Sequence, residues 1–127
     1  MPELHAFDYA VVRVVPRVER GEFINAGTIL FSPTARFLGA RIALDAARLH
    51  ALAPALDLEV VQNYLDIIPL ICNGGPDAGA IGSLSQSERF HWLTAPRSTI
   101  IQTSPMHSGV HADPGAALEQ LFAKLVR

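Results

Sequence analysis

With 127 residues the chain is one domain long, over 1–127, and able to bury a continuous core. Half of it is hydrophobic and 17% is charged, which excludes a disordered segment, and a net charge of −2 excludes a general attraction to nucleic acid or anionic lipid. The single cysteine, Cys72, excludes an internal disulfide framework and fits a reducing compartment.

Met1, Pro2, Glu3, Leu4 and His5 lack the basic start and apolar run of a signal peptide, and the longest apolar runs fall short of a membrane span. A cytoplasmic protein is expected. The apolar surplus also favours a homodimer or a docking partner, because small monomers seldom leave large apolar patches exposed.

Residues 7–15 predict a strand, with β-branched Val11, Val12, Val14 and Val15 beside Tyr9; Arg13 shares the face of Tyr9 and Val11. A charged connection carries Arg17, Glu19, Arg20 and Glu22 around Gly21. A second strand follows from residue 23 or 24 to 31, apolar apart from Asn25 and Thr28. Ser32, Pro33, Thr34 and Ala35 form a turn. Residues 36–44 alternate as a third strand, with Leu38, Ala40, Ile42 and Leu44 on one face and Arg36 and Arg41 on opposite faces. Three strands with short links predict an antiparallel meander.

Asp45 is an N-cap for a short helix that Pro54 stops near residue 53, and Asp57 caps a second helix to about residue 68. Val61, Leu65 and Ile68 form its buried stripe, flanked by Val60, Tyr64 and Ile67. Pro69 is expected to kink or end it. Residues 73–82, with four glycines and a proline, read as a flexible hinge. Ser85 and Glu88 form a capping box for a third helix to about residue 94. Residues 98–103 return as a fourth strand around Ile100 and Ile101. Asp113 and Pro114 then start a last helix, buried through Leu118, Leu121, Phe122 and Leu125. The order β-β-β-α-α-α-β-α predicts an α+β fold, helices packed on a mostly antiparallel sheet.

Several ordered motifs resemble a known family: Arg20-Gly21-Glu22-Phe23-Ile24-Asn25-Ala26-Gly27 leading into Leu30-Phe31-Ser32-Pro33, then Ser87-Glu88-Arg89-Phe90-His91-Trp92-Leu93, Ala95-Pro96-Arg97-Ser98 and Ser104-Pro105-Met106-His107-Ser108-Gly109. From about Tyr9 to Leu125 the chain resembles the uncharacterised bacterial family known as domain of unknown function 3037. The resemblance implies a small stand-alone bacterial protein without an assigned activity. It also suggests, through gene neighbourhood, a kinase similar to the HipA toxin as a partner. The aminotransferase label borne by some members finds no lysine in a Schiff-base context here.

Residues 85–111 gather the only Trp, two of nine Arg and three of five His. From this segment and the loop before strand two comes an anion-binding set: Arg20, Arg89, Arg97, Ser98 and His107, with Glu22 and Asn25 as further ligand-binding residues if they face it. Guanidinium forks with a hydroxyl and an imidazole suit a phosphate or carboxylate. The structural alternative is salt bridging of Arg89 and Arg97 to Glu22 or Glu88. Ser85 with Glu88 mimics a nucleophile and base, but the capping box accounts for both. His107 and His111 with Asp113 have the residue types of a zinc site, yet Gly109 and the Asp113 cap place them in a loop, so no metal and no cofactor is expected. Cys72, within an apolar run, reads as a buried inert thiol.

Trp92 with Phe90 and His91 could stack on a base, although Trp92 also fits as a half-buried packing residue. These readings favour a non-catalytic module that recognises a protein partner or an anionic small ligand through Arg20, Arg97 and His107. The alternatives are an enzyme on a phosphorylated or carboxylated substrate, with His107 as general acid/base and Arg97 as charge stabiliser, and a nucleic-acid-associated factor.

Overall fold

The computed structural model describes residues 3–97 and 99–127. The expected meander forms from β1 (His5–Val14), β2 (Ile24–Ser32) and β3 (Phe37–Ile42), all antiparallel. Arg36 belongs to the turn before β3 and not to the strand: it adopts a positive φ of 53°.

The far side of β1 pairs with two short strands in succession, β4 (Ile101–Thr103) and β5 (His107–His111). The sheet is antiparallel throughout, in the order β3-β2-β1-β4 with β5 also on β1. Residues 107–111, expected as a loop, are therefore a strand. Gly109 permits it, since a Cβ there would lie 2.6 Å from the Phe7 ring opposite. Pro105 interrupts the edge because it has no amide to give. Ser104 bridges the gap: its hydroxyl accepts from Val11 N–H at 2.8 Å, and its own N–H donates to Val11 O at 2.8 Å.

Side chains alternate across the sheet, so each face has its own core. Val12, Val14, Ile29, Phe31 and Leu38 pack against α1 (Ala46–Leu52), α2 (Leu58–Asn73) and α3 (Gln86–Thr94). Phe7, Leu30 and partly buried Tyr9 and Phe37 pack against Ala117 and Leu118 of α4 (Pro114–Leu125). The α+β class holds, with helices on both faces.

Asp45, Asp57, Ser85 and Asp113 each cap a helix through a side-chain oxygen. Pro69 neither ends nor interrupts α2, which continues to Asn73. The expected hinge forms 3-10 turns over Pro76–Ser83, closed by Gly75 N–H donating to Gly82 O at 3.0 Å. Among the described residues no helix is long and apolar enough to cross a membrane.

Candidate functional site

The expected anion set is dispersed. Arg20 ends a 3-10 turn and pairs through Nε with Glu22. Both line a small depression of about 180 Å³ with Arg17 and Leu52. Asn25 donates from Nδ2 to Leu125 O at 2.9 Å, tying down the last turn of α4. Ser98 lies outside the described residues.

Arg89 is buried and bonds to backbone carbonyls through Nε and Nη1. Its Nη1 donates to Ile71 O at 2.8 Å and Cys72 O at 2.7 Å, and its Nε to Leu84 O at 3.0 Å. The last carbonyls of a helix lack intrahelical donors, and a guanidinium near that negative end is favoured. Arg89 thus fastens the end of α2 to α3 and has no face for a ligand. The expected partners Glu22 and Glu88 are not used: Arg89 and Arg97 both bond to backbone carbonyls instead.

His107 stands on β5 opposite Tyr9, the two rings 5.5 Å apart. Tyr9 belongs to the α4 face of the sheet, whereas Arg97 lines a groove on the α1–α3 face. A substrate held by Arg97 is therefore out of reach of His107, which separates the acid/base from its charge stabiliser. His107 and His111 are four residues apart on one strand, about 13 Å at the usual rise per residue. One zinc ion cannot span that gap. In addition, His111 Nδ1 accepts from Asp113 N–H at 2.8 Å, so its remaining proton occupies Nε2 in the neutral ring. Among the described residues no group of three His, Cys, Asp or Glu is placed to hold a metal.

The remaining member, Arg97, sits at a different kind of site. A groove of about 460 Å³ opens between α2, α3 and the segment leading into β4. α2 contributes Tyr64, Ile67, Ile68 and Ile71, and α3 contributes Trp92 and Leu93. The far wall is Thr99, Ile100, Ile101, Gln102 and Thr103. Arg97 is the one charged side chain among these lining residues. Its guanidinium carbon lies 4.5 Å from the Trp92 ring centroid, and Nη1 donates to Leu93 O at 3.1 Å. Volume, apolar walls and a few polar groups are what small-molecule and peptide sites share.

Tyr64 is 56% exposed, Ile67 46% and Trp92 42%, values far from those of core residues. Val60, Tyr64 and Ile67 flank the expected buried stripe, yet they stay exposed or half-exposed while the core takes Val61, Leu65, Ile68, Ile71 and Cys72 from that helix. The unusual width of the stripe was the sequence signal for the groove. Trp92 is a wall of this groove, and one of its faces is covered by Arg97.

Cys72 is buried under Arg89, and removal from water pushes its thiol up to about 12 despite the adjacent positive charge. The thiolate needed for nucleophilic chemistry is thereby suppressed. Ser85 and Glu88 make both bonds of the capping box, each at 3.1 Å.

No curated protein and no solved structure matches the chain. The motifs spread from the loop before β2 to the end of β5 do have a counterpart: the family model described as "Protein of unknown function (DUF3037)" matches residues 9–126, nearly the whole chain, and the protein belongs to that family.

Proposed function

We propose that the protein is a non-catalytic binding module, and that its recognition site is the groove between α2, α3 and β4, taking a ligand with an apolar body and an anionic head. One observation carries this reading: an exposed, apolar groove of about 460 Å³ whose single charged lining residue, among the described residues, is a guanidinium. Apolar walls supply affinity through area removed from water, about 25 cal/mol per Å². Arg97 supplies selectivity for a carboxylate or phosphate through paired N–H donors. The anionic ligand expected of the arginines thus keeps Arg97 and loses Arg20, Arg89 and His107, which have other partners or another face.

Support for the absence of catalysis comes from the same separation. His107 and Arg97 stand on opposite faces of the sheet, and among the described residues the groove walls carry no carboxylate, imidazole or thiol.

Thermal shift tests this reading with decanoate and indole-3-acetate against decanol and indole-3-ethanol. At a hundredfold excess over Kd the acids should stabilise the fold by about 2.7 kcal/mol, a melting rise on the order of 5–10 °C. The neutral alcohols should shift it less. Equal shifts for acids and alcohols would remove Arg97 from the site, and no shift with any of the four would remove the site.

A further inference from the structure

The α4 face of the sheet carries a feature unconnected with the groove. Among the described residues three buried side-chain atoms have no hydrogen-bond partner: Arg13 Nε, Asn25 Oδ1 and Thr28 Oγ1. All three belong to one corner of that face. Arg13 is opposite Asn25 in the β1–β2 ladder, and Val11, two residues earlier on β1, is opposite Thr28. Alternate residues of a strand share a face, so the three side chains stand together, one ladder step of about 7 Å apart. Buried polar groups without partners are rare, and three in one corner point to an occupant.

The second observation is charge. Arg13 is only partly buried, and its guanidinium carbon lies 4.1 Å from the ring centroid of Phe23, which is 44% exposed. The cation therefore sits at the margin of the sheet, within reach of solvent. Neither ion pair among the described residues, Arg20–Glu22 or Arg41–Glu119, involves it. A guanidinium withdrawn from water needs a counter-charge, and an aromatic face supplies only part of one. Asn25 sets the opposite requirement. Its Nδ2 donates to Leu125 O at 2.9 Å, which fixes the amide and leaves Oδ1 as an acceptor. The occupant must bring negative charge to Arg13 and a proton to Asn25.

We propose that this corner binds a small oxyanion that keeps a proton, monohydrogen phosphate being the simplest. Its oxygens accept from Arg13 Nε and a neighbouring Nη, in the paired geometry that a guanidinium offers. Its hydroxyl donates to Asn25 Oδ1, and the Thr28 hydroxyl donates to a further oxygen. Sulfate has the same shape and a double negative charge, but no hydroxyl at neutral pH. It leaves Asn25 Oδ1 facing another acceptor, and a site built for a hydroxyl rejects the analogue without one. Water satisfies the three atoms but leaves the charge on Arg13 uncompensated, and is the rival occupant. The corner and the groove lie on opposite faces of the sheet, and neither reading depends on the other.

Sodium phosphate and sodium sulfate, titrated at neutral pH and matched ionic strength, test the assignment on the native protein. Thermal shift should show phosphate binding at least about tenfold more tightly than sulfate. In NMR spectra phosphate should move the Arg13 Nε–H and Asn25 Nδ2–H resonances and leave the Trp92 indole N–H in place. Arg13→Met should lower phosphate affinity at least about tenfold and keep the native response to decanoate. If that variant does not fold, the near-isosteric Thr28→Val takes its place, with phosphate bound about threefold or more weakly. Equal responses to phosphate and sulfate, or a phosphate response that leaves Arg13 Nε–H unmoved, overturn the assignment and show an adventitious ion only. No response to either salt overturns it as well and gives the three atoms to water. Neither result bears on the groove, which decanoate tests separately.

Discussion

Arg97 and Trp92 act as one unit: the guanidinium carbon lies 4.5 Å from the indole centroid, and Nη2 donates to the carbonyl of the same tryptophan. A flexible cation on an exposed rim normally pays rotamer entropy to meet an anion. Here the stacking and the bonds to the end of α3 have already fixed it. Two of its five N–H groups serve the helix, through Nη1 and Nη2.

Arg97→Met should therefore separate stability from binding. The exposed stacking interaction is worth about 0.5–1 kcal/mol, so unfolding in urea should shift by about 1 kcal/mol. Decanoate affinity, followed by Trp92 emission, should fall at least tenfold. Arg97→Lys should recover only part of it, because an ammonium lacks the planar fork. Full affinity in Arg97→Met would show that the acid lies elsewhere.

Arg89→Met should have the opposite profile. Three backbone carbonyls lose a buried cationic donor, and each bond to a charged group contributes about 1.5–3 kcal/mol. Urea unfolding should report a loss of about 3 kcal/mol or more. Arg89→Lys should restore a fraction, since one ammonium cannot reach Leu84, Ile71 and Cys72 in the same geometry. A loss under about 1 kcal/mol would mean that water replaces the guanidinium at the end of α2.

The contrast between these two arginines marks what the chain could and could not disclose before folding. Helix starts were legible because Asp45, Asp57, Ser85 and Asp113 act within three residues of themselves. The meander was legible because short links leave β1, β2 and β3 few ways to pair. β5 was not, since His107 to His111 lacks β-branched density and becomes a strand only by pairing with β1. Arg89 and Arg97 look alike in sequence. One is surrounded by the carbonyls of a helix 17 and 18 residues away, the other by a ring five residues back, and only the packing of α2 on α3 decides which. The groove was half legible: Val60, Tyr64 and Ile67 widened the apolar stripe beyond what one sheet face can bury, but nothing local indicated that β4 would stop short of covering them.

Cys72 offers a test of how tightly this junction excludes water. At pH 8 a thiol titrating at about 12 is ionised in about one molecule in ten thousand, so Ellman's reagent should react only through unfolding, and its rate should track urea. The folded thiol holds its proton more firmly than the unfolded one, at 9.0. Its contribution to stability is therefore complete below pH 9 and is lost as pH rises towards 12. Cys72→Ala should flatten the alkaline arm of the stability curve between those values. Rapid labelling of the native protein would show an opening at the α2–α3 junction.

The capping box at the start of α3 should be visible at the acid end. Bonds from the Ser85 backbone and hydroxyl hold the Glu88 carboxyl below its ordinary value of 4.5. The folded carboxylate gives up its charge less readily than the unfolded one. Its contribution is present above pH 4.5 and disappears as pH falls through the lowered folded value. Ser85→Ala removes the acceptor for the Glu88 amide and should cost about 1 kcal/mol at neutral pH. Glu88→Gln keeps an oxygen for the Ser85 amide but cannot titrate, so it should match the native protein at neutral pH and lose part of the acid sensitivity below pH 4.5. Because α3 carries Phe90 and Leu93 into the core and Trp92 to the groove, fraying there reaches the groove wall. The emission of Trp92 in Ser85→Ala, compared with circular dichroism of the whole fold, should change first on acidification; simultaneous transitions would show that α3 unfolds only with the sheet.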